Sequence, residues 1–203
     1  MAEVTALFWD VGGVLLSDGW GKHSRRTAAE TFGLDWEDFE SRHEMIVTAF
    51  EIGRVTLEQY LQTTVFYQPR SFSRDEFKGF MLEQSSARME ALSLVERLAQ
   101  SKKYLLATIN NESLELNLFR IQRFGLRNYF TVFFSSCFLG VKKPEETIFR
   151  IALRVTQREC KESIFIDDRA PNLECARSCG IHAILYRDAT QLQRELEAIG
   201  IEI

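Results

Sequence analysis

Short, wholly apolar runs separated by longer segments of helical period set the rhythm of this chain. Ala6 to Trp9, Tyr104 to Ile109, Phe130 to Phe134, Ile164 to Ile166 and Ile181 to Leu185 are the strand candidates. Runs this short and this apolar fit strands covered on both faces. From Ala91 onward they alternate with amphipathic segments. Helices are predicted over Leu92 to Ala99, Leu114 to Phe124, Pro144 to Val155, Pro171 to Cys179 and Thr190 to Ile199. Pro144 stands in a first turn, where its missing N–H costs nothing, and Gly125 and Gly180 follow helix ends. Strand and helix in alternation imply a parallel sheet with helices on both faces.

The stretch from Trp20 to Met89 breaks that rhythm. It holds no clear strand, only helical patterns. Trp36, Phe39, His43, Ile46 and Phe50 recur at three- and four-residue steps, the period of one helix face. Thr56 opens a second helix with Leu57, Tyr60 and Leu61 on one side. Pro69-Arg70-Ser71 interrupts, and Ser73 followed by Glu76 fits a capping box ahead of Phe77, Phe80 and Met81. A block of roughly seventy residues is too long for a plain loop. The expected fold is therefore α/β. A Rossmann-like three-layer core with a five-stranded parallel sheet takes residues 1–17 and 90–203, and an all-helical cap takes residues 18–89.

Composition narrows the function classes. The 203 residues are 45% hydrophobic and 27% charged, with a net charge of −4 and no basic block. That argues against nucleic acid as the main partner, because backbone binding needs clustered Lys and Arg. No long uninterrupted apolar stretch offers a membrane span. Met1-Ala2-Glu3-Val4-Thr5 carries an acid and does not read as a secretion signal, so a cytoplasmic location is expected. Cys137, Cys160, Cys175 and Cys179 match no zinc spacing and are expected to be small buried thiols. The oligomeric state stays open, a monomer being the simpler expectation.

Candidate chemistry sits at the ends of the apolar runs. Asp10 ends the first and Asp167-Asp168 ends the fourth. Ligands bind at the carboxyl ends of strands in open parallel sheets. Three carboxylates converging there need a cation, and hard oxygen ligands suit Mg²⁺. A magnesium-dependent enzyme with an aspartate nucleophile follows. The order of Asp10, then Thr108-Ile109-Asn110-Asn111, then Lys143-Pro144, then Asp167-Asp168, each after a strand, resembles the haloacid dehalogenase-like hydrolase superfamily with an inserted helical cap. The likeness spans the whole chain.

That resemblance implies hydrolysis of a small phosphorylated metabolite through an aspartyl-phosphate, with Asp10 as nucleophile and Lys143 offsetting charge. It places Thr108 or Asn110 as the phosphoryl hydrogen-bond donor, with Asn111 beside it. Mg²⁺ would be held by Asp10, Asp167, Asp168 and the backbone carbonyl of Gly12, with Asn172 supporting the acidic loop. Gly12 departs from the family's usual pattern, which has a second Asp at that position as general acid and base. Such a proton transfer is typically worth ~10²–10⁴ in rate. Two other readings stand beside the phosphatase. One is carbon–halogen cleavage, against which the paired Asp167-Asp168 counts because that chemistry needs no cation. The other is a fold kept for binding after losing its acid at Gly12. Asp18, Trp20, His23, Arg25 and Arg26 follow the nucleophile loop, where an Arg or His could meet a substrate's anionic or hydroxyl groups; Arg25 and Arg26 read first as a solvated helix face, and His43 and His182 as structural.

Overall fold

A computed structural model describes residues 3–203. Five strands, β1 (Ala6–Trp9), β2 (Leu105–Asn110), β3 (Val132–Ser135), β4 (Ser163–Asp167) and β5 (His182–Leu185), form one parallel sheet in the order β3-β2-β1-β4-β5. β1 is central and all four of its residues are buried. Its alternation feeds two cores. Leu7 and Trp9 face helices α5 (Met89–Ser101), α6 (Leu114–Arg123) and α10 (Ala189–Ala198). Ala6 and Phe8 face α8 (Glu146–Thr156) and α9 (Ala170–Ser178). A period-2 chain covered on both sides has no polar face to show, which is why the run reads as continuous apolar sequence.

Helices α1 (Lys22–Phe32), α2 (Trp36–Glu51), α3 (Leu57–Thr64) and α4 (Arg74–Glu83) come between β1 and α5. They bury a third cluster that includes Trp20, Phe39, Phe50, Tyr60, Leu61, Phe77 and Met81. Thr56 and Ser73 both close full capping boxes, with Gln59 and Glu76. Polar bonds tie this block to the sheet layer. Lys142 Nζ meets Glu51 at 2.8 Å, Ser136 Oγ donates to the Glu51 carbonyl at 2.6 Å, and Leu57 N–H donates to Glu115 at 3.0 Å. Ser136 belongs to the short helix α7 (Ser136–Leu139), which the sequence pattern did not announce.

Some boundaries shift from expectation. β2 runs on through Asn110 and β4 through Asp167. α8 begins at Glu146, so Pro144 stands ahead of the helix rather than in its first turn. The four cysteines are free and only half-buried. Among the described residues no helix is long and apolar enough to cross a membrane.

Candidate active site

Strand register brings the acids together. Trp9 of β1 lies opposite Ile166 of β4, and Asp10 N–H donates to the Ile166 carbonyl at 2.9 Å. Asp10 is thus level with Asp167 at the carboxyl end of the sheet. The strand order reverses on either side of β1, which is where such sheets open a crevice. Ligand atoms of Asp10, Asp167 and Asp168 all lie within 4.8 Å of one another. Asp10 and Asp167 are buried; Asp168 is the most open of the three.

One cation stands among them. Lys143 Nζ is 2.8 Å from Asp10 Oδ1 and 2.7 Å from Asp167 Oδ2, and its residue is only 3% exposed. Three carboxylates and one ammonium give the cluster a formal charge of −2. Burial pushes the Asp10 carboxyl up to about 7; Lys143 works against that and Asp167 adds to it. Asp168 is also raised, by burial first and then by Asp167 and Asp18. Asp168 Oδ1 is sealed from solvent with no hydrogen-bond partner. A buried carboxylate oxygen without a donor is costly. Hard oxygens, a residual charge of −2 and an unpartnered oxygen are what a divalent cation satisfies, and the three residues can hold a metal ion.

The surrounding loops fix these groups. Asp167 Oδ1 accepts from the Arg169 N–H at 2.8 Å, and Asn172 Nδ2 donates to both Asp167 oxygens at 3.0 Å. Asn111 clamps Lys143 from both sides: its amide nitrogen donates to the Lys143 carbonyl and its oxygen accepts the Lys143 N–H, each at 2.8 Å. Ser113 is the residue that precedes α6. Val11 N–H donates to Asp10 Oδ1 at 2.7 Å. Gly13 leaves no room for a side chain beside Asp168 as that residue stands: at φ +80°, a Cβ there would fall 2.6 Å from Asp168 Cγ, and the carboxylate would have to move.

A cavity of about 450 Å³ opens above the acids. Asp10, Gly12, Asn111, Lys143, Asp168 and Asn172 line it from the sheet side. Thr108 and Asn110 do not. Thr108 is fully buried below the strand end. Asn110 is engaged inward, donating to Asn117 Oδ1 at 3.0 Å and accepting from Ser135 Oγ at 2.9 Å.

Residues read from the sequence as solvated or structural, and two that it did not single out, line the same cavity. Arg25 is buried, not solvated, and forms a paired contact with Glu40 at 2.8 Å through two nitrogens. His43 also faces the cavity; its Nδ1 shares a 2.8 Å hydrogen bond with the Tyr60 hydroxyl, which accepts from Trp20 Nε1. Burial lowers the His43 pKa from 6.5 to about 4, with Arg25 adding to the effect. Arg120 and Glu112 form a buried ion pair at 2.8 Å on the cavity wall. Arg25, His43 and Arg120 each sit on the inward face of their own helix, and Glu112 stands in the loop ahead of α6. Arg25 precedes Ala28, Ala29 and Phe32 at helical spacing, and His43 lies within the Phe39–Phe50 stripe.

The family model for haloacid dehalogenase-like hydrolases matches residues 4–180. The chain belongs to that family. Flavin mononucleotide hydrolase 1 of Arabidopsis thaliana is 26% identical over 173 residues, 85% of this chain and 69% of that protein. Bifunctional epoxide hydrolase 2 of Rattus norvegicus is 36% identical over 74 residues, 36% of this chain; the match spans only 13% of that larger protein. A HAD family enzyme from Bacteroides thetaiotaomicron superposes with a TM-score of 0.82 at 20% identity, covering 95% of this chain and 99% of that one. The same enzyme crystallised with magnesium and inorganic phosphate gives 0.77 at 19% identity, covering 93% and 98%. Identities this low show the fold alone. Family membership makes the chain a hydrolase-type enzyme with a five-stranded parallel sheet.

Proposed function

We propose that this chain is a Mg²⁺-dependent phosphatase acting on a small phosphate monoester through an aspartyl-phosphate on Asp10. The observation that carries the reading is the buried Asp10–Lys143–Asp167 contact, with Asp168 beside it, at the floor of a cavity sized for a small molecule. In this reading Asp10, Asp167, Asp168 and the Gly12 carbonyl hold the cation. When bound, Mg²⁺ offsets the charge of the phosphoryl oxygens. The Asp10 carboxylate attacks phosphorus and the ester oxygen leaves; water then cleaves the acyl-phosphate. Lys143 offsets negative charge throughout, and Asn111 positions it by gripping its backbone. Asn172 and the Arg169 N–H keep the Asp167 carboxylate aimed. Thr108 and Asn110 then act from beneath, by stiffening the β2 end. The catalytic core takes residues 3–17 and 90–203, residues 1 and 2 of the expected core lying outside the described residues, and the helices of residues 18–89 form a cap that contributes Trp20, Arg25, His43 and Phe50 to substrate choice.

The test is phosphate release from a panel of esters that includes flavin mononucleotide, aryl phosphates and sugar phosphates, with and without Mg²⁺. Turnover is expected only with the metal. Asp10→Asn should abolish it, because an amide cannot form the acyl-phosphate. Full activity in a purified Asp10→Asn preparation removes Asp10 from the reaction.

A further inference from the structure

The place left empty at Gly12 is not empty of chemistry. Gly12 lacks the positive φ of its neighbour Gly13, so nothing in its backbone demands glycine. Yet the point where a Cβ would stand is met by Arg120 Nη1 at 3.7 Å and Nη2 at 3.9 Å. The Arg120 residue is 3% exposed and lines the cavity wall. Nη1 donates to Glu112 Oε2 at 2.8 Å and Nη2 donates to the Ser17 carbonyl. A guanidinium has five N–H donors. Two are used here, and each terminal nitrogen keeps a hydrogen for a further acceptor.

We propose that Arg120 is a catalytic residue that donates hydrogen bonds to the departing ester oxygen. On this proposal, which rests on the phosphatase reading above, it does by charge what a carboxylic acid at position 12 would do by proton transfer. The Asp10 carboxylate forms its bond to phosphorus as the bond from phosphorus to the ester oxygen breaks. The electron pair goes to that oxygen, and the Arg120 guanidinium stabilises the alkoxide. Arginine stays protonated at any working pH, so the alkoxide takes its proton from a solvent water. The hydroxide left behind adds to phosphorus and expels the Asp10 carboxylate, so that one water is consumed overall. Glu112 holds the guanidinium in place from the far side, and the pair crosses the wall without adding net charge.

The experiment is a series of phosphate esters of rising leaving-group pKa, from nitrophenyl to alkyl, with Mg²⁺ saturating. Arg120→Met should lose roughly 10²–10³-fold in turnover on alkyl esters, the usual effect of deleting an oxyanion donor, and far less on nitrophenyl phosphate. Arg120→Lys should fall between. Because Arg120→Met strands a buried Glu112, the double variant Glu112→Gln with Arg120→Met is run beside it and should show the same steepened dependence. An equal loss across the whole series would make Arg120 a brace for the loop at Ser17 and overturn the proposal. So would a steepened dependence in Asp18→Asn with none in the Arg120 variants, since the donor would then be the cavity carboxylate Asp18. If the unaltered chain releases no phosphate from any ester, the phosphatase reading falls first and this proposal with it.

Discussion

Lys143→Met is the sharpest perturbation of the site, since it removes a cation that touches both Asp10 and Asp167. Its Nζ sits 2.8 and 2.7 Å from them. At an effective dielectric of about 20, each contact carries about 6 kcal/mol of Coulomb attraction. Most of that is offset by the cost of taking three charges out of water. What survives is the cost of stranding the partners, typically about 3–5 kcal/mol for a broken buried pair. A protein of this size shifts its Tm by roughly 2–4 °C per kcal/mol, so the variant should melt roughly 6–20 °C lower in a chelator. Methionine fills similar volume, which keeps a packing defect from mimicking the effect.

The sign with pH follows from Asp10. Its carboxyl is raised from 3.8 to about 7 in the fold, so the folded chain holds a proton that the unfolded chain releases. Stability contributed by that proton is present at low pH and is lost as pH rises through about 7. Lys143 is the group that opposes this loss. Without Lys143 the Asp10 carboxyl rises further, so the gap between wild type and Lys143→Met should be widest at alkaline pH, narrow as pH falls toward about 7 and level off below it, where Asp10 is protonated in both chains. Mg²⁺ should narrow it too, because the cluster goes from −2 to −3 in the variant and attracts the cation more strongly. The assay is thermal unfolding by circular dichroism, with chelator or saturating Mg²⁺, at several pH values. A variant that melts within about 2 °C of wild type in chelator refutes the pairing energetics. A gap that Mg²⁺ leaves unchanged refutes the shared field.

Two more outcomes are open to simple measurement. Gly13→Ala should sharply weaken Mg²⁺ binding measured by calorimetry, because the new Cβ lands 2.6 Å from Asp168 Cγ and must displace that carboxylate; unchanged affinity would take Asp168 out of the metal site. His43 titrates at about 4 in the fold against 6.5 unfolded, so the unfolded chain gains the proton first and stability is lost as pH falls from 6.5 toward 4, by up to roughly 3 kcal/mol. His43→Gln should remove that portion of the acid loss, and urea melts showing the same loss in both chains would place the acid sensitivity elsewhere.

The parts of this fold that depend on local sequence were open to reading. Each strand is a short apolar run because both its faces are covered, and each carboxylate at a strand end stands out against such a run. Thr56 and Ser73 announce their helices through bonds made within three residues. What stayed hidden depends on partners far away in the chain. Asn111 reads as a neighbour of the phosphoryl donor until Lys143, 32 residues on, is seen to occupy it. Asn110 reads as a free donor until Asn117 and Ser135 claim it. Arg120 gave a usable signal: it shares a helix face with Leu116, Asn117, Ile121 and Phe124. A charge on an inward face must be paired, but spacing alone does not say that its partners are Glu112 and the loop at Ser17.

The buried ion pairs of this chain differ in what they leave over. Arg25 and Glu40 cancel each other, as do Arg120 and Glu112. Lys143 faces two carboxylates at once, with a third nearby, and the sum stays at −2. Hydrophobic packing of β1 and β4 forces that imbalance, since their register puts Asp10 and Asp167 side by side. Burial makes the imbalance costly, as the raised Asp10 carboxyl records. A fold selected for stability alone would replace one of these acids with an amide. Keeping all three inside makes sense when a cation relieves the repulsion, and it ties the stability of the apoprotein to the affinity of the site. Variants that relieve the charge, such as Asp167→Asn, should accordingly raise the melting temperature in chelator while weakening Mg²⁺ binding. A lower melting temperature in chelator would mean that the Asp167 bonds to Lys143, Asn172 and Arg169 outweigh the repulsion, and the argument from charge imbalance would fail.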